Sequence, residues 1–149
     1  MAESDATSGP DPAGKSYPVP GVTIWFDSTR CQHFAECVRG LPDVFKPGRK
    51  PWVRPDLGEA SEIAAVVRRC PTGALHYRLD DGPDEEPSAP TKIRRLSAGP
   101  ILMRGDLEMR SRGRAIRDTR AVICGCGGTK NDPFCDGACG INEALDARE

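Results

Sequence analysis

Cys124-Gly125-Cys126-Gly127-Gly128-Thr129-Lys130-Asn131-Asp132-Pro133-Phe134-Cys135-Asp136-Gly137-Ala138-Cys139 holds four of the chain's seven cysteines. Glycines and one proline separate the thiols, and little in the stretch can build a core. Four thiols on a glycine-rich loop can converge on one small point. Soft thiolates that converge bind soft metal, either zinc or an iron–sulfur cluster. The stretch is read as the holder of a [2Fe–2S] cluster, and the rest of the chain as the frame for it and for a second cluster.

The bulk composition sets limits. The 149 residues allow one ordinary domain or two small ones. Hydrophobic residues make up 38% and aromatics 5%, so any core is modest. Small domains with thin cores lean on metal or oligomerisation. A formal net charge of −1 gives no case for nucleic acid binding. The chain has no apolar run long enough to span a membrane. Residues 1–20 are rich in Ser, Gly, Pro, Asp and Ala and are expected to form a disordered tail. They have neither the basic nor the apolar region of a secretory signal. Seven cysteines without an export signal read as metal ligands rather than disulfides, and the odd count points the same way. The expected compartment is a reducing cytoplasm.

In chain order, Val22, Ile24 and Phe26 alternate and predict a strand. A turn at Asp27–Arg30 leads into Cys31-Gln32-His33-Phe34-Ala35-Glu36-Cys37, a short helix stopped by Gly40 and Pro42. Lys50–Pro55 predicts a short edge strand, because its prolines exclude a central one. From about 58 to 69 the pattern is helical, with Ile63, Val66, Val67 and Cys70 on one face. Asp56 and Glu59 are placed to cap that helix. Residues 74–79 alternate again, with Leu75, Tyr77 and Leu79 inward and His76 on the polar side. Residues 80–91, acidic and rich in proline, read as a linker. It separates Cys31, Cys37 and Cys70 from the four later cysteines. Beyond it, short strands are predicted at 101–103, 107–109 and 121–123, divided by Arg104-Gly105-Asp106 and Arg112-Gly113. Residues 92–120 carry nine basic and three acidic residues, a local charge of +6. A solvated β surface explains that charge most simply. A docking face for an acidic partner, or for the acidic linker, is the alternative.

The later cysteines follow C-x-C-x8-C-x3-C, with Thr129, Pro133, Asp136 and Gly137 between them. This resembles the CDGSH iron–sulfur (NEET) family, whose signature is C-x-C-x2-[S/T]-x3-P-x-C-D-G-[S/A/T]-H. Every position matches except the last, where Cys139 stands in place of histidine. Gly99-Pro100-Ile101-Leu102-Met103-Arg104-Gly105-Asp106 is similar to the β-rich cap that precedes the motif, so the resemblance covers about residues 92–145. It implies that Cys124, Cys126 and Cys135 hold a [2Fe–2S] cluster, with Cys139 as fourth ligand. Thiolate donates more charge than imidazole, and histidine ligation raises the potential of Rieske centres. A lower potential and less acid lability than in histidine-ligated relatives are therefore expected. Zinc is the rival occupant, although its usual knuckles are C-x2–4-C.

The earlier set is Cys31-x5-Cys37-x32-Cys70-Pro71. Bacterial ferredoxins use C-x2-C-x2-C with a remote Cys-Pro, and here the middle position is Phe34. Cys37-Val38-Arg39-Gly40-Leu41-Pro42 and Cys70-Pro71-Thr72-Gly73-Ala74-Leu75 resemble the divergent single-cluster [3Fe–4S]/[4Fe–4S] ferredoxins, over about residues 21–79. The resemblance implies a ferredoxin-like β-α-β fold. Three thiolates suffice for a [3Fe–4S] cluster. A [4Fe–4S] cluster needs a fourth ligand, for which His33 is the nearby candidate. The plainer readings are a turn histidine for His33 and a buried core thiol for Cys70.

The expectation is thus an α+β chain of two units: a small ferredoxin-like N-terminal domain and a β-rich CDGSH-type C-terminal domain. The expected function is electron transfer between protein redox partners, without enzymatic activity. The CDGSH resemblance also implies a homodimer. Cluster transfer or redox sensing, and a structural zinc role, are the alternatives. No Ser–His–Asp set, phosphate loop or H-E-x-x-H helix appears.

Overall fold

The computed structural model describes residues 12–31, 36–95, 99–125 and 128–135. The described residues form a mixed α+β protein with two three-stranded antiparallel sheets.

The first sheet comprises β1 (Lys15–Val19), β2 (Val22–Phe26) and β3 (Leu75–Leu79), in the order β1-β2-β3. The expected disordered tail over 1–20 is therefore corrected at its C-terminal end. Lys15–Val19 pairs with β2 from Lys15↔Phe26 to Val19↔Val22. Pro18 fits because β1 is an edge strand, where a missing N–H costs no ladder bond. β2 and β3 pair from Val22↔Leu79 to Phe26↔Leu75.

Between β2 and β3 lie a short helix α1 (Glu36–Gly40), a single 3₁₀ turn (Pro55–Leu57) and the helix α2 (Ala60–Val67). Ile63, Val66 and Val67 of α2 are buried against Val22, Ile24, Leu75 and Tyr77 of the sheet. Val44, Phe45 and Val53 close the core from the loop before α2. That loop corrects the predicted edge strand at 50–55. A lone antiparallel bridge joins Phe45 to Val53, because Pro47, Pro51 and Pro55 leave too few donors for a ladder. The predicted caps are corrected too. Glu59 is the N-cap without a side-chain bond to the helix, and Asp56 pairs with Arg54 at 2.6 Å.

The second sheet comprises β4 (Lys92–Arg95), β5 (Ile101–Ser111) and β6 (Arg114–Ile123), in the order β4-β5-β6. Two long strands replace the three short ones expected. Arg104-Gly105-Asp106 is a register shift inside β5, and Arg112-Gly113 is the hairpin turn. Both turn residues have positive φ, 53° and 80°, which is the type I′ geometry that matches strand twist. Leu107, Ala121 and Phe134 form the small buried core of this unit.

The two units meet along a polar seam. Arg120 on β6 is only 1% exposed. It donates to the carbonyls of Val67, Cys70 and Leu75, each at 2.8 Å, and grips Glu85 with both arms at 2.9 Å. Arg104 donates to the carbonyls of Arg68 and Arg69. The C-terminal sheet thus supplies donors to carbonyls at and just beyond the end of α2. Part of the +6 stretch is consequently inward structure, and one acidic residue of the 80–91 segment is its partner. On the surface, Arg117 pairs with Asp106 and Glu108, and Arg110 with Glu108.

Candidate metal centres

Three elements bring the first thiols together. Asp27 accepts from the backbone N–H of Thr29 and, through its carbonyl, from that of Arg30, which closes the turn before Cys31. Cys37 lies in α1, and its carbonyl accepts from Leu41. Cys70 follows α2 in a turn closed by Cys70 N–H to the Val67 carbonyl. All three are half-buried, and the five described cysteines form no disulfide. Burial first, and then the neighbouring Cys70 and Cys31, push the Cys37 thiol up to about 12. Cys31 and Cys70 thus share the neighbourhood of Cys37, and a cation at that point would favour thiolate ligands. Among the described residues, no group of three or more His, Cys, Asp or Glu side chains converges tightly on one metal-ion position.

The Cys70-Pro71-Thr72-Gly73 turn is fixed by Thr72, whose hydroxyl lies 3.4 Å from the Cys70 sulfur and accepts from Ala74 N–H. Gly73 has a φ of 76°, and a Cβ there would overlap the Arg30 guanidinium. Glycine is required on both counts. Cys31 and Cys37 also line an open groove of about 1330 Å³, with Tyr17, Phe26, Val38 and Trp52.

The second set is built at the end of β6. Ile123 bridges Phe134. Cys124 N–H donates to Pro133 and Cys135 N–H to Val122, at 2.8 and 2.9 Å. This places Cys124 and Cys135 on either side of one bridge. Thr129 holds the loop between them. Its hydroxyl donates to the Phe134 carbonyl at 2.7 Å and accepts from Asn131 N–H. Gly125 packs so closely on Gly99 that a Cβ would overlap the Gly99 carbonyl. Cys126, Cys139 and His33 lie outside the described residues.

Residues 17–80 match the family model described as "Divergent 4Fe-4S mono-cluster". The "Uncharacterized protein YjdI" of Escherichia coli K12 is 40% identical over 57 residues, which are 38% of this chain and 75% of that protein. Its counterpart in Escherichia coli O157:H7 gives the same figures. The chain belongs to the divergent 4Fe-4S mono-cluster family. Residues 98–138 match a second family model, "Iron-binding zinc finger CDGSH type". The chain therefore joins two iron–sulfur-binding units. That second match ends one residue before Cys139. No solved structure matches the chain.

Sequence reasoning missed the residues between the two thiol sets. Arg30 is 6% exposed. It donates to Asp118 at 2.7 Å, to the Thr72 carbonyl at 2.7 Å and to the Arg120 carbonyl at 3.0 Å. Its guanidinium also lies 4.0 Å from the centre of the Phe134 ring. His76, read as a surface residue, instead contacts Asp118 through Nε2 at 2.8 Å, because the second sheet covers that side of β3. Burial alone would raise the Asp118 carboxyl. The bond and charge of His76, then those of Arg30, outweigh burial and hold it well below the usual carboxylate range. The available signal was charge at positions with no surface role, such as Arg30 beside a cysteine.

Proposed function

We propose that the chain is an electron-transfer protein with two clusters. Cys31, Cys37 and Cys70 would hold a [3Fe–4S] or [4Fe–4S] cluster, with His33 as the candidate fourth ligand of the latter. Cys124, Cys126, Cys135 and Cys139 would hold a [2Fe–2S] cluster. Each cluster supplies a one-electron couple when bound, and the polypeptide supplies thiolates, burial and local charge.

One observation carries the reading: three cysteines from separate parts of the chain share one neighbourhood, where Cys31 and Cys70 lie near enough to add to the effect of burial on the Cys37 thiol. The groove supports a carrier role, since it leaves Cys31 and Cys37 reachable by a partner. β2 and β3 are antiparallel neighbours joined through two helices, an order consistent with a ferredoxin-like N-terminal unit. We take the C-terminal unit to pair with that of a second copy, and the protein to act as a carrier rather than an enzyme, in a reducing cytoplasm. Anaerobic purification followed by iron and acid-labile sulfide counting tests the reading. Counts of two irons in one site and three or four in the other support it. Colourless protein without sulfide overturns it.

A further inference from the structure

Arg30 touches both thiol loops at once. It precedes Cys31 in sequence, donates to the carbonyl of Thr72 in the Cys70 turn, and stacks on Phe134, which precedes Cys135. Asn131, from the second loop, donates to the carbonyl of Thr29 at 3.1 Å. Arg120, on the strand that leads to Cys124, donates to the Cys70 carbonyl. One layer of residues therefore separates the Cys31/Cys70 loops from the Cys124/Cys135 loop. Within this layer, Arg30 shares its carboxylate partner, Asp118, with His76. The Arg30 Nε–H is buried and has no acceptor among the described residues.

We propose that Arg30 is a cation common to both sites that raises the midpoint potential of each, and that two sites held against one arginine lie close enough for the charge state of each to shift the potential of the other. The inference rests on the two-cluster reading above. Each site takes up one electron from a reductant such as dithionite, and no bond is made or broken. The added negative charge is felt across a buried layer, where screening is weak. The guanidinium stabilises that charge at either site. Removing it should lower both potentials, and emptying one site should raise the potential of the other. Arg30 acts here as a positioning and charge-setting residue rather than as a ligand.

The test is anaerobic redox potentiometry followed by EPR, on full-length protein with iron and sulfide counted first. Arg30→Gln should lower both midpoints, each by about tenfold in the one-electron equilibrium, or about 59 mV. Arg30→Lys, which keeps the charge, should shift both less. Cys135→Ser leaves Arg30 in place, so it tests the coupling even if the Arg30 variants fold poorly. With the C-terminal site emptied, the N-terminal midpoint should rise. Fully loaded Arg30→Gln in which only one midpoint moves, or an N-terminal midpoint unchanged in Cys135→Ser, would overturn the coupling and leave the two-cluster reading intact. Wild-type protein without iron would overturn the reading beneath it.

Discussion

Arg120→Met tests whether the seam holds the two units together. The side chain is 1% exposed, and Glu85 opposite is 11% exposed. Methionine of similar length fills the space but donates nothing. Three carbonyls lose a charged donor, and Glu85 is left as a part-buried carboxylate without its cation. Charged hydrogen bonds contribute about 1.5–3 kcal/mol each when taken singly. They share one guanidinium, so their sum overstates the loss. Removing one partner of a buried ion pair costs about 3–5 kcal/mol, and that is the expected loss. For a chain of this size it corresponds to a melting temperature lower by roughly 10 °C. Urea denaturation followed by circular dichroism reads the change. The double variant Arg120→Met with Glu85→Gln should recover part of it, because no stranded charge remains. A loss below about 1 kcal/mol, or a double variant in which the two losses simply add, would refute the reasoning.

Three further outcomes are expected. In cluster-free protein, Cys37 stays protonated to about pH 12, whereas an unfolded cysteine ionises near pH 8.5. The folded apo form should hold its stability below about pH 8.5 and lose it as pH rises towards 12; a flat denaturation midpoint over that range would contradict the placement of Cys37. Asp118 has the opposite sign. Its depressed carboxyl contributes fully above about pH 3.9, and the contribution falls away as pH drops further. Asp118→Asn should therefore destabilise the protein at pH 6 and narrow its gap to wild type below about pH 3.5, checked by thermal melts at both pH values. Finally, Cys139→His should raise the potential of the C-terminal centre and make its visible absorbance fade between pH 7 and 5; an equal or lower potential would count against Cys139 as a ligand.

Local patterns were readable where a short window contained the physics. The α2 face Ile63, Val66 and Val67 and the alternation in β2 and β3 are such patterns, and the structure buries them. Gly105 between charged neighbours looked like a break, but a long strand absorbs it as an irregularity in register. Pro18 disguised β1, because only its position at the sheet edge makes proline acceptable there. The seam was not readable. Arg120 and Val67 are 53 positions apart, and Arg30 and Asp118 are 88 apart. An arginine gives no local sign of whether it faces water or the end of another unit's helix. The cysteine spacings of the second set stood out because all four thiols fall within sixteen residues. In the structure Cys31 and Cys70 lie near enough to Cys37 to raise its thiol, and Cys124 and Cys135 flank the Ile123–Phe134 bridge. Nothing in the spacing revealed that one arginine touches both loops.

Counting iron and acid-labile sulfide in protein purified without oxygen, with EPR recorded before and after dithionite, meets the central claim head on. Two centres are predicted: one from Cys31, Cys37 and Cys70, lost on Cys70→Ala, and a separate [2Fe–2S] signal that appears only on reduction and is lost on Cys124→Ala. Protein that emerges pale, with no sulfide and no signal in either state, would contradict it.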